Sequence, residues 1–211
     1  MYEQTVGTVA AFYGPRRSGK STALISLILE RELEGESFFD KHNKAFIFCL
    51  KSNEEFFGKY FAMKNIYIGM DEFDRIVPKI IEKLENSKKL SCLIIIDDLL
   101  TSATKKSKNS NLINHIVSTS RHYRMSCILL TQSRQHTNHL IRNLDIILFS
   151  PHSVFTNDKD WYKKELLRGY MKEDEIETFY ENVPKYTFIV IHLTSDSDDS
   201  VFTYRANMKI L

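Results

Sequence analysis

The chain has 211 residues, 43% hydrophobic and 27% charged, which excludes a disordered protein and suits one substantial α/β core. Its formal net charge is +2, so no whole-molecule field announces a nucleic-acid binder, and any polyanion site has to be local. No apolar run approaches a membrane span and MYEQTVG lacks the pattern of a secretory leader, so no lipid insertion is expected from this chain.

The first element is a β-branched and aromatic run, residues 8–13, predicted as a strand. It leads into Gly14, Pro15, Arg16, Arg17, Ser18, Gly19, Lys20 and Ser21, and then into a helix predicted over 22–33 that opens on Thr22. The pattern fits G-x-x-x-x-G-K-[ST] and sits between a strand and a helix N-terminus, where backbone N–H groups and the helix dipole can receive phosphate. Gly14 and Gly19 let the main chain wrap tightly, Lys20 would reach the β- and γ-phosphates, and Ser21 would ligate Mg²⁺. The ligand expected over residues 14–22 is therefore ATP with Mg²⁺. Arg16 and Arg17 within the loop either act on the phosphates in cis or face solvent.

Residues 44–50 read as a strand covered on both faces, 54–63 as a short helix, 66–68 as a short strand and 72–84 as a helix. Pro78 inside the last suggests a kink or a later start. Residues 92–96 are the strongest strand signal and run straight into Asp97 and Asp98. The polar, basic stretch 101–110 reads as a loop, followed by a helix at 112–123, a strand at 127–130 ending in Thr131 and Gln132, a helix at 134–142 and a strand at 145–149. Helices at 157–167 and 173–182 then precede strands at 186–193 and 201–204, which flank TSDSDDS as a β-hairpin adding antiparallel edge strands. The alternation predicts a three-layered, mostly parallel α/β sheet. One domain spans 1–211, with a core at 5–150 and a helical and hairpin extension at 151–211. Cys49, Cys92 and Cys127 lie far apart on predicted buried strands with neither zinc nor disulfide spacing, which points to a reducing compartment.

An apolar strand ending in Asp97-Asp98, placed beside the phosphate loop, delivers a first carboxylate to Mg²⁺ and a second to the attacking water. Gln132 would lie beside the γ-phosphate or simply face solvent at a strand end. Lys105, Lys106 and Lys108 belong either to a loop gripping DNA phosphates or to a solubilising surface. His136 and His139, three apart on a predicted helix, lack a nearby acid or cysteine to complete a metal site. Phe56, Phe57, Tyr60 and Phe61 suit a core or subunit contact better than a base-stacking platform.

With the phosphate loop and the IIIDD strand, SRHYRMSCILLTQ at 120–132 resembles the FtsK–HerA class of DNA-translocating ATPases. Within that class it is most similar to the viral genome-packaging ATPases of the poxvirus and giant-virus type. The resemblance runs from about residue 8 to 149 and implies a P-loop NTPase fold of the RecA/ASCE kind. It implies an ATP hydrolase that drives double-stranded DNA into a preformed capsid, working as a homo-oligomeric ring of roughly five or six subunits against a capsid or portal component. It also implies that one subunit's Arg121 completes its neighbour's site, with Arg124 and Arg142 as runners-up. The implied location is viral: host cytoplasm or virus factory, or the virion. A motor for another polymer (secretion or conjugation), a small-molecule kinase and a nucleotide-binding structural protein remain the alternatives.

Overall fold

Apolar runs bounded by turns build an eight-stranded sheet in the computed structural model, which describes residues 7–33, 44–99, 108–132, 134, 137–152, 156–194 and 200–209. The strands are β1 (Val9–Tyr13), β2 (Lys44–Cys49), β3 (Ile66–Ile68), β4 (Cys92–Asp97), β5 (Met125–Thr131), β6 (Ile146–Phe149), β7 (Thr187–His192) and β8 (Val201–Arg205). They lie in the order β3-β2-β4-β5-β1-β6-β7-β8. The first six run parallel, while β7 pairs antiparallel with β6 and β8 antiparallel with β7.

The unbroken apolar character of the central strands follows from burial on both faces. Val9, Ala11 and Tyr13 of β1 enter one core layer, and Ala10 and Phe12 enter the other. On β4 the same alternation separates Cys92, Ile94 and Ile96 from Leu93 and Ile95. Each fully buried isoleucine here contributes roughly 1.5–3 kcal/mol relative to exposure. One layer is closed by α1 (Lys20–Leu33) and α2 (Glu54–Gly58) through Ala23, Leu24, Ile25 and Phe57. The other is closed by α3 (Gly69–Glu85), α4 (Lys108–Thr119) and α6 (Glu173–Asn182) through Phe73, Val77, Ile113, Ile116 and Ile176. A short α5 (Thr156–Trp161) precedes α6.

Several sequence expectations are corrected. β4 does not lie beside β1, because β5 is inserted between them and pairs with both. The helix expected at 72 begins at Gly69 and passes through Pro78. Pro78 is exposed while Phe73, Val77, Ile80, Ile81 and Leu84 are buried, so packing holds the helix on both sides of the missing N–H. The helix expected over 134–142 is replaced, in its described part, by a turn at 137–140 and a 3₁₀ turn, Ile141–Asn143. There Thr137 forms side-chain hydrogen bonds with Arg134 O at 3.1 Å and Tyr13 Oη at 2.6 Å, which compete with a helix ladder. The helix expected to 123 ends at Thr119, and it begins at Lys108, so Lys108 is helical rather than part of a loop. The helix at 54–63 stops at Gly58. The one at 157–167 opens after α5 into a π turn, Tyr162–Leu166. That turn seats Tyr162 flat on Phe149, with ring centroids 4.1 Å apart.

Candidate active site

Three strands end at the same edge of the sheet, and their last residues make the site. β1 delivers the phosphate loop, β5 delivers Thr131 and Gln132, and β4 delivers Asp97 and Asp98. Gly14 N donates to Thr131 O at 3.2 Å, and Asp98 N donates to Leu130 O at 2.9 Å, so β5 ties both neighbours together. β5 thus stands between the strand that carries the two acids and the strand that carries the loop.

The loop is shaped by its glycines. A Cβ on Gly14 would come within 2.5 Å of Ser18 Oγ, and Gly19 has a left-handed φ of 90°. Arg17 also adopts a left-handed φ, 65°, which costs a side-chain-bearing residue roughly 1–2 kcal/mol. Arg16 and Arg17 are both exposed, while Ser18 and Lys20 are buried. Lys20 Nζ donates to Gly14 O at 2.8 Å and Pro15 O at 3.2 Å. Burial lowers the Lys20 pKa, and the carboxylates of Asp98 and Asp97 oppose that shift. Pro15 is half-buried, as are Ser21 and Thr22 on the first turn of α1. Ser18 Oγ is buried without a hydrogen-bond partner, a polar atom that a phosphate oxygen in the loop would satisfy.

Asp97 is 1% exposed and Asp98 is 8% exposed. Burial first, and then the neighbouring Asp98 carboxylate, push the Asp97 pKa up to about 6; Asn53, Lys20 and Ser21 pull it back. Ser21 hydrogen-bonds the Asp97 carboxyl, so two oxygen donors meet at the head of α1. Such a hard, incomplete donor set fits Mg²⁺ completed by phosphate and water. Asp98 has a left-handed φ of 55°, and Gln132 Nε2 donates to its Oδ2 at 3.3 Å. Gln132 is half-buried and its amide meets the second acid.

Asn53 was not singled out in the sequence. Its Nδ2 donates to Asp97 Oδ2 at 2.6 Å. The available signal was a polar step, Lys51-Ser52-Asn53, directly after a buried strand paired with β4.

The candidate arginines lie elsewhere. Arg121 precedes β5 at the opposite end of the sheet and ion-pairs with Asp145, whose Oδ2 also accepts from Val9 N at 2.7 Å. Arg124 has a left-handed φ of 52° and donates to Lys88 O. Arg142 is exposed. Lys105 and Lys106 lie outside the described residues, as does His136; His139 is exposed. Among the described residues, no group of three or more His, Cys, Asp or Glu side chains forms a metal-holding cluster. Phe57 is fully buried and packs edge-on against Phe56, while Phe56, Tyr60 and Phe61 are half-buried against the same core layer.

The fold is shared with solved structures. B204, the DNA-packaging ATPase from Sulfolobus turreted icosahedral virus, is similar with TM-score 0.65 and 18% identity, over 97% of this chain and 100% of that one. The B204 packaging NTPase of Sulfolobus turreted icosahedral virus 2, in complex with ATP-gammaS, matches equally well. ATPases 2 and 3 of EssC from Geobacillus thermodenitrificans follow with TM-score 0.62 and 11% identity, over 95% of this chain and 39% of that one. These likenesses agree with the P-loop fold expected from the sequence. No curated protein matches the chain. No helix among the described residues is long and apolar enough to cross a membrane. A family model described as Poxvirus A32 protein matches residues 10–166, and the chain belongs to that family.

Proposed function

We infer that this chain is an ATP-hydrolysing motor that drives double-stranded DNA into a viral capsid, acting as one ATPase domain within a homo-oligomeric ring. The observation that carries the reading is the convergence of the phosphate loop, Asp97-Asp98 and Gln132 at the ends of β1, β4 and β5. Membership of the poxvirus family and the likeness to the viral packaging ATPase support the polymer and the setting.

The residues divide the work by position. Loop N–H groups, Ser18 and Lys20 would bind the phosphates, with the N-terminus of the 14-residue α1 behind them. Ser21 and Asp97 would hold Mg²⁺, which when bound neutralises charge on the transferring phosphate. Asp98 would orient the attacking water and accept its proton, and Gln132 fixes the carboxylate from β5 and senses the γ-phosphate. Arg121 would act in trans. β5 is seven residues long, so Arg121 stands about 20 Å from its own loop, out of reach of its own phosphates, which agrees with a part played on a neighbour. Arg16 and Arg17 are exposed on the loop, and Arg16 lies close enough to Lys20 to lower its pKa, so they either act on the phosphates in cis or face solvent. Lys105, Lys106 and Lys108 remain the proposed DNA-facing cations, gripping backbone phosphate without reading sequence. The site of action is the host cytoplasm or virus factory, or the virion, against a capsid or portal component.

The test is ATPase rate against protein and DNA concentration. Activity that rises with assembly and with double-stranded DNA is expected. A fully active monomer indifferent to DNA overturns the ring-motor reading. The likeness to EssC keeps a motor for another polymer as the rival, and failure of DNA to stimulate an assembled, active enzyme would favour it.

A further inference from the structure

Asn53 ends the 3₁₀ turn Lys51–Asn53 after β2 and occupies the N-cap position of α2. Asparagine is among the best N-cap residues, and its cap bond is worth about 1 kcal/mol to a helix. Here the side chain makes no cap hydrogen bond to α2. It turns instead to the buried carboxylate of Asp97, 44 residues away in sequence, and donates from Nδ2 to Oδ2 at 2.6 Å. The ionised carboxylate only accepts, so it takes the amide NH₂, and Ser52 Oγ donates to Asn53 Oδ1 at 3.3 Å on the other end. The backbone is held as well, since Asn53 N donates to Leu50 O at 2.9 Å.

We propose that Asn53 is a positioning residue that sets the Asp97 carboxylate for the divalent cation of the bound triphosphate. The chemistry favours an amide at this place. A neutral donor engages one oxygen of a carboxylate that is 1% exposed and leaves its negative charge for the cation. A lysine or arginine there would cancel that charge, and an aspartate would repel it. Ser21, which also hydrogen-bonds Asp97, approaches from α1, so the carboxyl is held between β2's turn on one side and the phosphate-loop helix on the other.

The inference rests on the ATP-site reading of Asp97, and the experiment separates the two. A fluorescent ATP analogue is titrated into wild type, Asn53→Ala, Asn53→Ser and Asn53→Asp, first in EDTA and then with increasing Mg²⁺; no turnover is needed. Loss of an outer partner of this kind weakens cation affinity by about 10–100-fold. Asn53→Ala should therefore need about tenfold more Mg²⁺ for half its effect, while its affinity in EDTA stays within about twofold of wild type. Asn53→Asp should be worse than Asn53→Ala, and Asn53→Ser, which keeps a donor, should be better. Wild-type Mg²⁺ dependence in Asn53→Ala overturns the assignment. So does a loss of affinity that is equal in EDTA and in Mg²⁺, which marks a merely structural role. Wild-type protein whose nucleotide affinity ignores Mg²⁺ defeats the reading of Asp97 itself. Should Asn53→Ala fail to fold, Asn53→Gln carries the same comparison, because it keeps the amide and displaces it by one methylene.

Discussion

Arg121 and Asp145 form an ion pair at the end of the sheet opposite the phosphate loop, with the arginine side chain 66% exposed and the carboxylate 11% exposed. Asp145 is already anchored by Val9 N, so it serves as a fixed seat from which Arg121 can be released. The pair does little for stability at that exposure, about 0–1 kcal/mol for the interaction. If Arg121 acts on a neighbour, Arg121→Ala should leave nucleotide affinity unchanged and cut the rate of the assembled enzyme by about a thousandfold or more. Mixing Arg121→Ala with Lys20→Ala subunits should restore part of the activity, because each supplies what the other lacks. No recovery at any mixing ratio would remove the trans role.

Asp98 and Gln132 are expected to separate in kinetics. A positioned general base contributes about 10²–10⁴-fold, so Asp98→Asn should lower kcat by at least about a hundredfold with little change in nucleotide affinity. Gln132→Ala leaves the carboxylate and removes its 3.3 Å tether and the amide beside the γ-phosphate, so a smaller loss of kcat follows. Single-turnover hydrolysis measures both, and an Asp98→Asn enzyme that hydrolyses at the wild-type rate would remove Asp98 from the role of general base.

The pH response follows from Asp97. Its pKa in the folded chain lies near 6, above the ordinary carboxylate value, and burial is the main cause. A raised acid pKa means that the folded state holds the proton more tightly than the unfolded state. The stability from this group is therefore fully present below the unfolded value near 4 and is lost as pH rises through 6. Binding of Mg²⁺ needs the ionised form, so Mg²⁺-dependent nucleotide affinity should run the other way, weak below pH 6 and level above about 7. Asp97→Asn should flatten the stability trend that wild type shows between pH 4 and 7, read by thermal melting without nucleotide. An unchanged trend in that variant would place the titration elsewhere.

Much of this was legible because the strong signals are local. GPRRSGKS carries its own turn glycines, and the buried strands announce themselves by unbroken apolar runs ending in Asp97-Asp98 and Thr131-Gln132. The insertion of β5 between β1 and β4 was not legible, because strand order comes from packing across the sheet. Asn53 was missed for the same reason: its partner is 44 residues away, and nothing in Lys51-Ser52-Asn53 distinguishes a cap from a contact. The helix expected over 134–142 failed because Thr137 bonds with Tyr13 and Arg134, tertiary partners that a periodicity argument does not contain.

The phosphate loop offers the sharpest steric prediction. Gly14 and Gly19 are both demanded, for different reasons, and Ala at each should fail differently. At Gly14 a methyl would lie 2.5 Å from Ser18 Oγ and 3.0 Å from Ser18 Cβ, so the hydroxyl must turn aside and the loop must give by a few tenths of an ångström where the phosphates would sit. At Gly19 the added carbon meets nothing within 4 Å, and the cost is the left-handed φ of 90°, about 1 kcal/mol. Gly14→Ala should therefore weaken nucleotide binding, by displacing Ser18, while the eight-stranded core still melts cooperatively. Gly19→Ala should lower the melting temperature slightly and keep measurable binding, since its strain can be shared along the first turn of α1. Calorimetric melts paired with nucleotide titrations give both readings. Equal nucleotide affinity in the two variants would show that contact with Ser18 does not set the shape of the loop.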